Sequence, residues 1–317
     1  MHRRRGIVVE EKKEYLKSCF NYTGGKFKLL KQIMPLFPND CNRFVDLFCG
    51  GSNVAINASS QKDIICIDYQ EHIIDLYNTL KRLDFEEIVQ RIEEIIEQFQ
   101  LSNTFKYGYS KYNCDSSSGL GEYNKEPYLK LREHYNAITE KSDYKNLLFY
   151  VLTVFGFNNQ IRFNKSGHYN IPVGKRDFNE KIRANLKGFI EAIKEKDIQF
   201  ICQDFREIDI ELVEGDFLYA DPPYLISTAT YNESNGWTAD DDRALLLFLD
   251  TLHSKGVKFA LSNVLEHKGE SNNYLIDWSQ KYHVHYLNKH YQNSNYQIKD
   301  KNTKTVEVLI TNFINQG

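Results

Sequence analysis

The feature that most constrains this chain is a short apolar run ending in paired glycines. Arg43-Phe44-Val45-Asp46-Leu47-Phe48 reads as a buried strand, and Cys49-Gly50-Gly51-Ser52-Asn53 follows it directly. The small apolar stretch Val54-Ala55-Ile56-Asn57 then opens a helix, and Asp63 to Tyr69 supplies a second strand carrying Asp68 near its carboxyl end. Strand, tight turn, helix and strand in that order begin a doubly wound parallel sheet.

Later strands fit the same plan. Ile198 to Cys202 is a short candidate, and Phe217-Leu218-Tyr219-Ala220 is a stronger one that runs straight into Asp221-Pro222-Pro223-Tyr224. Val257 to Leu261 and Val306 to Phe313 supply two more. Thr238-Ala239-Asp240-Asp241 has the form of a helix cap ahead of the apolar face Leu245 to Leu249. Between the two sets of strands the pattern changes. Ile88, Val89, Ile92, Ile95, Ile96 and Phe99 recur at helical spacing. The stretch to about Pro127 is polar and turn-rich, and Leu147 to Phe157 is apolar enough for either a helix or a buried strand. The expected architecture is α/β: a Rossmann-like sheet domain from 1–80 and 195–317, with an inserted, mainly helical unit from 81–194. Asn288 to Lys304 reads as a polar loop.

Composition narrows the function classes only a little. Forty basic against 43 acidic side chains give a net charge of -3, so a polyanion would have to be met by local patches. Six scattered cysteines form no C-x-x-C pair, which argues against structural zinc and for reduced, mostly buried thiols. Met1-His2-Arg3-Arg4-Arg5 is basic, but no long apolar run follows and no segment reaches membrane-spanning length. The expected location is the cytoplasm.

In a doubly wound sheet, ligands bind beyond the carboxyl ends of the strands, where glycines let a ligand approach backbone amides. Gly50 and Gly51 supply that surface, and Asp68 at the end of the second strand is placed to accept bonds from both ribose hydroxyls of an adenosine group. No G-x-G-x-x-G is present, which disfavours a nicotinamide cofactor. S-adenosylmethionine fits, although spacing alone does not select it.

Asp221-Pro222-Pro223-Tyr224 has its own chemical reading. Two prolines fix φ and remove amide donors, leaving the Pro222 carbonyl held as an acceptor. An amino group bonded to that carbonyl and to the Asp221 carboxylate would point its nitrogen lone pair at a methyl donor, while Tyr224 stacks on the ring that carries it. For a base in a duplex, that base must first leave the helix. No metal has a role in such a scheme.

With these motifs in place, the chain resembles the Dam-like (D12 class, alpha group) N6-adenine DNA methyltransferases, over nearly its whole length. Asn21-Tyr22-Thr23-Gly24-Gly25-Lys26 looks like the family's opening segment, which implies cofactor contacts by Tyr22 and Lys26. Phe44 to Phe48 with Gly50 resembles the cofactor motif, so Asp46, Phe48 and Gly50 join the pocket and Asp68 takes the ribose. Asp204-Phe205 matches the pair expected to flank the cofactor's adenine. Arg162 to Gly174 is similar to the family's R-x-N-x-x-G-x-F/Y-N-x-P-x-G hairpin, which implies DNA contacts by Arg162, Asn164, Lys165, Asn170, Lys175 and Arg176. Ser227 to Trp237 is a second candidate for closing over the substrate.

The resemblance implies methyl transfer from S-adenosylmethionine to adenine N6 within a short site of double-stranded DNA. It allows a cognate restriction endonuclease as functional partner in a restriction-modification system, and asks for no more than a monomer or weak dimer. Two alternatives stay open: N-methylation of RNA or a protein amide, and a non-catalytic DNA-binding subunit. One departure is notable. Family members often carry F-x-G-S-G, whereas this chain has Phe48-Cys49-Gly50-Gly51-Ser52, so a serine takes a position that strains if it needs positive φ. The expectation is local reorganisation of the turn with cofactor binding retained.

Overall fold

Strand β1 (Phe44–Leu47) is buried on both faces, and around it an eight-stranded sheet is assembled in the order β3-β2-β1-β4-β5-β8-β7. The computed structural model describes residues 14–115, 117–226, 236–288 and 305–315. Here β2 is Ile64–Asp68, β3 Gln199–Cys202, β4 Phe217–Ala220, β5 Lys258–His267, β7 His283–Leu287 and β8 Thr305–Thr311. The two-residue β6 (Glu270–Ser271) pairs with β5 off this path. Strands β3, β2, β1, β4 and β5 run parallel, and β8 and β7 add an antiparallel edge.

Register places the site. Leu47 pairs with Ile67 on one side and Ala220 on the other, so the next residue of each strand, Phe48, Asp68 and Asp221, emerges at one edge of the sheet. Because β8 runs antiparallel to β5, its early residue Glu307 lies opposite Val264, toward that same edge.

The sheet is covered on both faces, as the apolar strand runs require. One face, bearing Phe44, Ile64, Cys66, Phe217 and Tyr219, packs on helices α1 (Glu71–Arg82), α2 (Phe85–Gln98), α3 (Gly121–Ala137), α4 (Asp143–Phe155) and α5 (Glu180–Glu195). The other face, bearing Val45, Leu47, Ile65 and Leu218, packs on α6 (Ala239–Ser254) and α7 (Asn273–Ser279). The span 81–194 therefore shares one apolar core with a sheet face, and α5 packs on α1 and the Ala55–Asn57 turn.

Several local readings carry through. Ile88, Ile92, Ile95 and Ile96 form the buried stripe of α2. The Thr238 hydroxyl accepts from Asp241 N and the Asp241 carboxylate accepts from Thr238 N, a complete capping box. The ambiguous apolar stretch near Leu147 is helical, with every residue from Leu147 to Phe155 buried and Ser142 capping its start. Elements buried all round carry no period, which is why pattern alone left the choice open.

Two readings change. Val54 to Asn57 gives only a single 3₁₀ turn, Ala55–Asn57, because Ala58 is already extended. The polar stretch after Leu101 ends earlier than composition implies, since α3 starts at Gly121 and carries Pro127 within its first two turns. Residues 289–304 of the polar tract and 227–235 of the second contact candidate lie outside the described residues.

Candidate active site

A cavity of about 840 Å³ opens at the sheet edge where Phe48, Asp68 and Asp221 emerge. Its walls come from the Tyr22–Lys26 segment, the Phe48–Val54 turn, Asp68 to His72, Asp221 to Leu225, the hairpin residues Ile161 to Phe163 with Gly167, and Trp237. Of the expected site residues, Tyr22, Lys26, Asp46, Phe48, Gly50, Asp68 and Asp221 to Tyr224 thus face one space.

The turn after β1 is held by the acids beside it. Asp68 is buried, with one carboxylate oxygen accepting from Gly50 N at 2.9 Å and the other from Gln70 N at 2.9 Å. Burial raises its pKa and those amides draw it back. Asp46 accepts from Ala55 N at 3.2 Å; burial pushes its pKa well up, and the neighbouring Asp221 adds to the rise. Both acids orient backbone, and this shapes the turn.

Ser52 has φ 51 and is fully buried, so the turn retains a left-handed residue at the position where glycine was displaced. The expected reorganisation does not remove that conformation; Phe48 at φ 66 and Gly50 at φ 43 share it. A Cβ on Gly50 or Gly51 would come within 2.6 Å of Tyr22. The glycines therefore let an aromatic ring lie on the turn, and Gln70 Nε2 donates to the Tyr22 hydroxyl at 3.0 Å.

The Asp221 side of the cavity is assembled differently. Lys26 is buried, and its ammonium lies 2.6 Å from each oxygen of Asp221. Tyr224 donates to Asp221 at 3.1 Å, and its ring centroid is 5.0 Å from Lys26 Nζ. Glu307 brings a second acid, with Oε1 3.9 Å from Lys26 Nζ and 3.4 Å from the Tyr224 hydroxyl. Burial raises the Asp221 pKa against the opposing pull of Lys26, and burial raises that of Tyr224 well above the ordinary phenol value. Pro222 and Pro223 line the cavity beside them.

The other predicted residues divide. Phe205 packs within 5.6 Å of Phe48 and Trp237 in an aromatic trio behind the cavity wall. The Asp204 carboxylate is held by Arg206, which pulls its pKa down, and neither Asp204 nor Phe205 lines the cavity. In the hairpin, Phe163 bridges Tyr169, and Arg162 donates to the Asn170 side chain at 2.7 Å. The Asn164 carboxamide accepts from Ser166 N and His168 N, each at 3.0 Å, and so shapes the tip where Lys165 is exposed. Arg162 lines the cavity; Asn164, Lys165 and Asn170 do not. Lys175 and Arg176 are exposed away from it, and Arg176 contributes with Lys181 and Lys28 to lowering the pKa of Lys17, after burial itself.

Sequence reasoning passed over Glu307, Tyr69, Gln70 and His72. The first had a signal, an acid inside the apolar run Val306 to Ile310. His72 stacks on Phe163 at 4.3 Å between ring centroids, joining α1 to the hairpin. That contact spans the insertion and leaves no mark in local pattern.

Residues 22–294 match the model of the D12 class N6 adenine-specific DNA methyltransferases. The chain belongs to this family. The match reaches from Tyr22 beyond β7 and so takes in every residue that lines the cavity. Among similar proteins, the type II methyltransferase M.FokI of Planomicrobium okeanokoites is 40% identical over 95% of this chain and 43% of its own length. The modification methylase StsI of Streptococcus sanguinis is 39% identical over 97% of this chain and 44% of its own. The type II methyltransferase M1.LlaDCHI of Lactococcus lactis subsp. cremoris is 26% identical over 97% and 99% respectively. The chain thus spans less than half the length of the first two relatives.

Proposed function

We propose that this D12-class chain transfers the methyl group of S-adenosylmethionine to N6 of adenine in a short site of double-stranded DNA, after the base is flipped from the helix. The observation that carries this reading is the convergence of Asp221, Pro222 and Tyr224 with Asp68 on one cavity. A glycine turn that precedes D-P-P-Y in the chain is the Dam-like order of motifs.

The residues present suit the cofactor. Asp68 is a buried acid at a strand end, bordered by the Gly50 amide and by Phe48 and Tyr69 as apolar walls for an adenosine group. The S-adenosylmethionine, when bound, supplies an electrophilic methyl. The protein's part is to position and tune. Asp221 and the Pro222 carbonyl accept the two N–H bonds of the amine and so direct its lone pair. Asp221 then stabilises the positive charge that develops on N6, inside a site where burial strengthens the interaction. Tyr224 offers a ring face to the flipped base.

Arg162 at the cavity wall and Lys165 at the exposed hairpin tip are the favoured DNA contacts. Lys175, Arg176 and Lys17 extend the basic surface, which serves phosphate contact without sequence information. The relatives' names support a role in restriction-modification. Incubation with labelled cofactor and duplex DNA, RNA or protein, followed by nucleoside analysis, tests the reading. Label in N6-methyladenine of duplex DNA alone is expected; label only in RNA or protein, or none, overturns it. Sequencing the modified adenines of a random DNA library then defines the site.

A further inference from the structure

Lys26 occupies the place the substrate amine needs. Its ammonium lies 2.6 Å from both carboxylate oxygens of Asp221, so an arriving amine would have to share both oxygens with a cation. An ammonium there also opposes the positive charge that builds on a methylated nitrogen, and at low dielectric such repulsion is large. Lys26 must give way, yet its side chain is only 4% exposed and cannot simply swing into water. A buried cation that leaves one anion needs another.

Glu307 is that anion. Its side chain is 1% exposed, and Oε1 stands 3.9 Å from the same ammonium. A movement of about 1 Å would bring the pair to charge-assisted bonding distance. The path is lined for a cation. The Tyr224 ring centroid is 5.0 Å from Lys26 Nζ, and its hydroxyl reaches both carboxylates, at 3.1 Å to Asp221 and 3.4 Å to Glu307. The Gly24 carbonyl also accepts from the ammonium, at 3.3 Å. Glu307 itself sits in β8, in register with Val264 of β5 and Leu287 of β7, so it is held by two ladders and does not follow the moving lysine.

We infer that Glu307 is a positioning residue that takes the Lys26 ammonium from Asp221 when the amine enters, freeing Asp221 to accept an N–H. This rests on the amine-methylating reading above. No bond is made or broken in the hand-off; one ion pair replaces another.

Glu307→Gln keeps the shape and removes the charge. Its single-turnover rate of methyl transfer to a duplex adenine should fall roughly 10- to 100-fold, with cofactor Kd and duplex KM within about threefold of the unaltered protein. In a Lys26→Met background the same change should cost less than about twofold, because the residue acts through the lysine. An unaltered rate, or an equal loss in both backgrounds, overturns the inference. A structure of the unaltered protein with S-adenosylhomocysteine and an adenine duplex decides independently, including where Glu307→Gln does not fold. Lys26 Nζ is expected nearer Glu307 than Asp221, and a lysine still seated on Asp221 overturns the hand-off. Absence of methyl transfer by the unaltered protein would instead strike the functional reading.

Discussion

The two sides of the cavity are built by opposite means. On the cofactor side, Asp68 spends both oxygens on the backbone amides of Gly50 and Gln70, so acid and turn fix one another through neighbouring chain. On the catalytic side, Asp221 is held by side chains from distant segments: Lys26 is 195 positions away, and Tyr224 brings in Glu307 from β8. Backbone-held acids are set when the strands pair, whereas a side-chain cluster can change partners. The contrast suits the proposed tasks, in which one side grips a cofactor of fixed shape and the other admits an amine and answers a developing charge.

The sharpest way to break this division is Asp221→Ala. If the catalytic side does chemistry and little binding, transfer should drop by about 10³-fold or more while cofactor Kd changes little. Isothermal titration and single-turnover assays read the two quantities separately, and a matching loss of cofactor affinity would merge the two sides. The pH dependence follows from the same residue. Burial raises the Asp221 pKa, partly countered by Lys26, and the ionised form is the one that accepts an N–H. Transfer is therefore expected to fall as pH drops through that raised range, and Asp221→Asn should remove this acid limb from whatever rate remains.

Asp68→Asn tests the other side with a smaller effect. Both carboxylate oxygens accept from backbone N–H groups, so a carboxamide must turn its own NH₂ toward one of them. Cofactor Kd should rise roughly 10- to 100-fold while the rate at saturating cofactor stays near that of the unaltered protein. A variant that binds normally but transfers slowly would show that the cofactor side also shapes the chemistry.

The same contrast explains what could be read from the sequence. The parallel sheet, the Gly50-Gly51 turn, Asp68 and Asp221-Pro222-Pro223-Tyr224 are contiguous signals, because strand, turn and acid follow one another along the chain. The capping box at Thr238 is local for the same reason. Glu307 stands out only as an acid inside an apolar run, its partners being set by strand pairing, and His72 has no local signal because its contact exists only across helix packing. The stretch Leu147–Phe155 of α4 is ambiguous because every residue in it is buried and no polar face reveals a period. The overestimated helix after the turn is a further case: small apolar residues satisfy a helical pattern, but the chain becomes extended at Ala58 after a single 3₁₀ turn.

The hairpin lies on the substrate side and gives a milder test. Lys165 is exposed at the tip, while Arg162 is tied to Asn170 and faces the cavity. Lys165→Ala should weaken DNA binding a few-fold at low salt and shallow the salt dependence by about one counterion, equally for all sequences. Fluorescence anisotropy across a salt series measures the slope; an unchanged slope would remove Lys165 from the phosphate footprint.

The smallest effect lies in the turn that joins the two sides. Ser52 is fully buried at φ 51, a conformation that costs a residue with a Cβ about 1 kcal/mol relative to glycine. Ser52→Gly relieves that strain but gains freedom in the unfolded chain, and the two effects oppose each other. Because Phe48 and Gly50 hold positive φ in the same turn and Asp68 fixes it through Gly50 N, the folded geometry is already determined and strain relief should win. Denaturant unfolding is expected to show a gain of about 0.5 kcal/mol, with cofactor Kd unchanged within about twofold. A loss of stability with weaker cofactor binding would mean that the serine side chain, rather than the acid beside it, sets the turn.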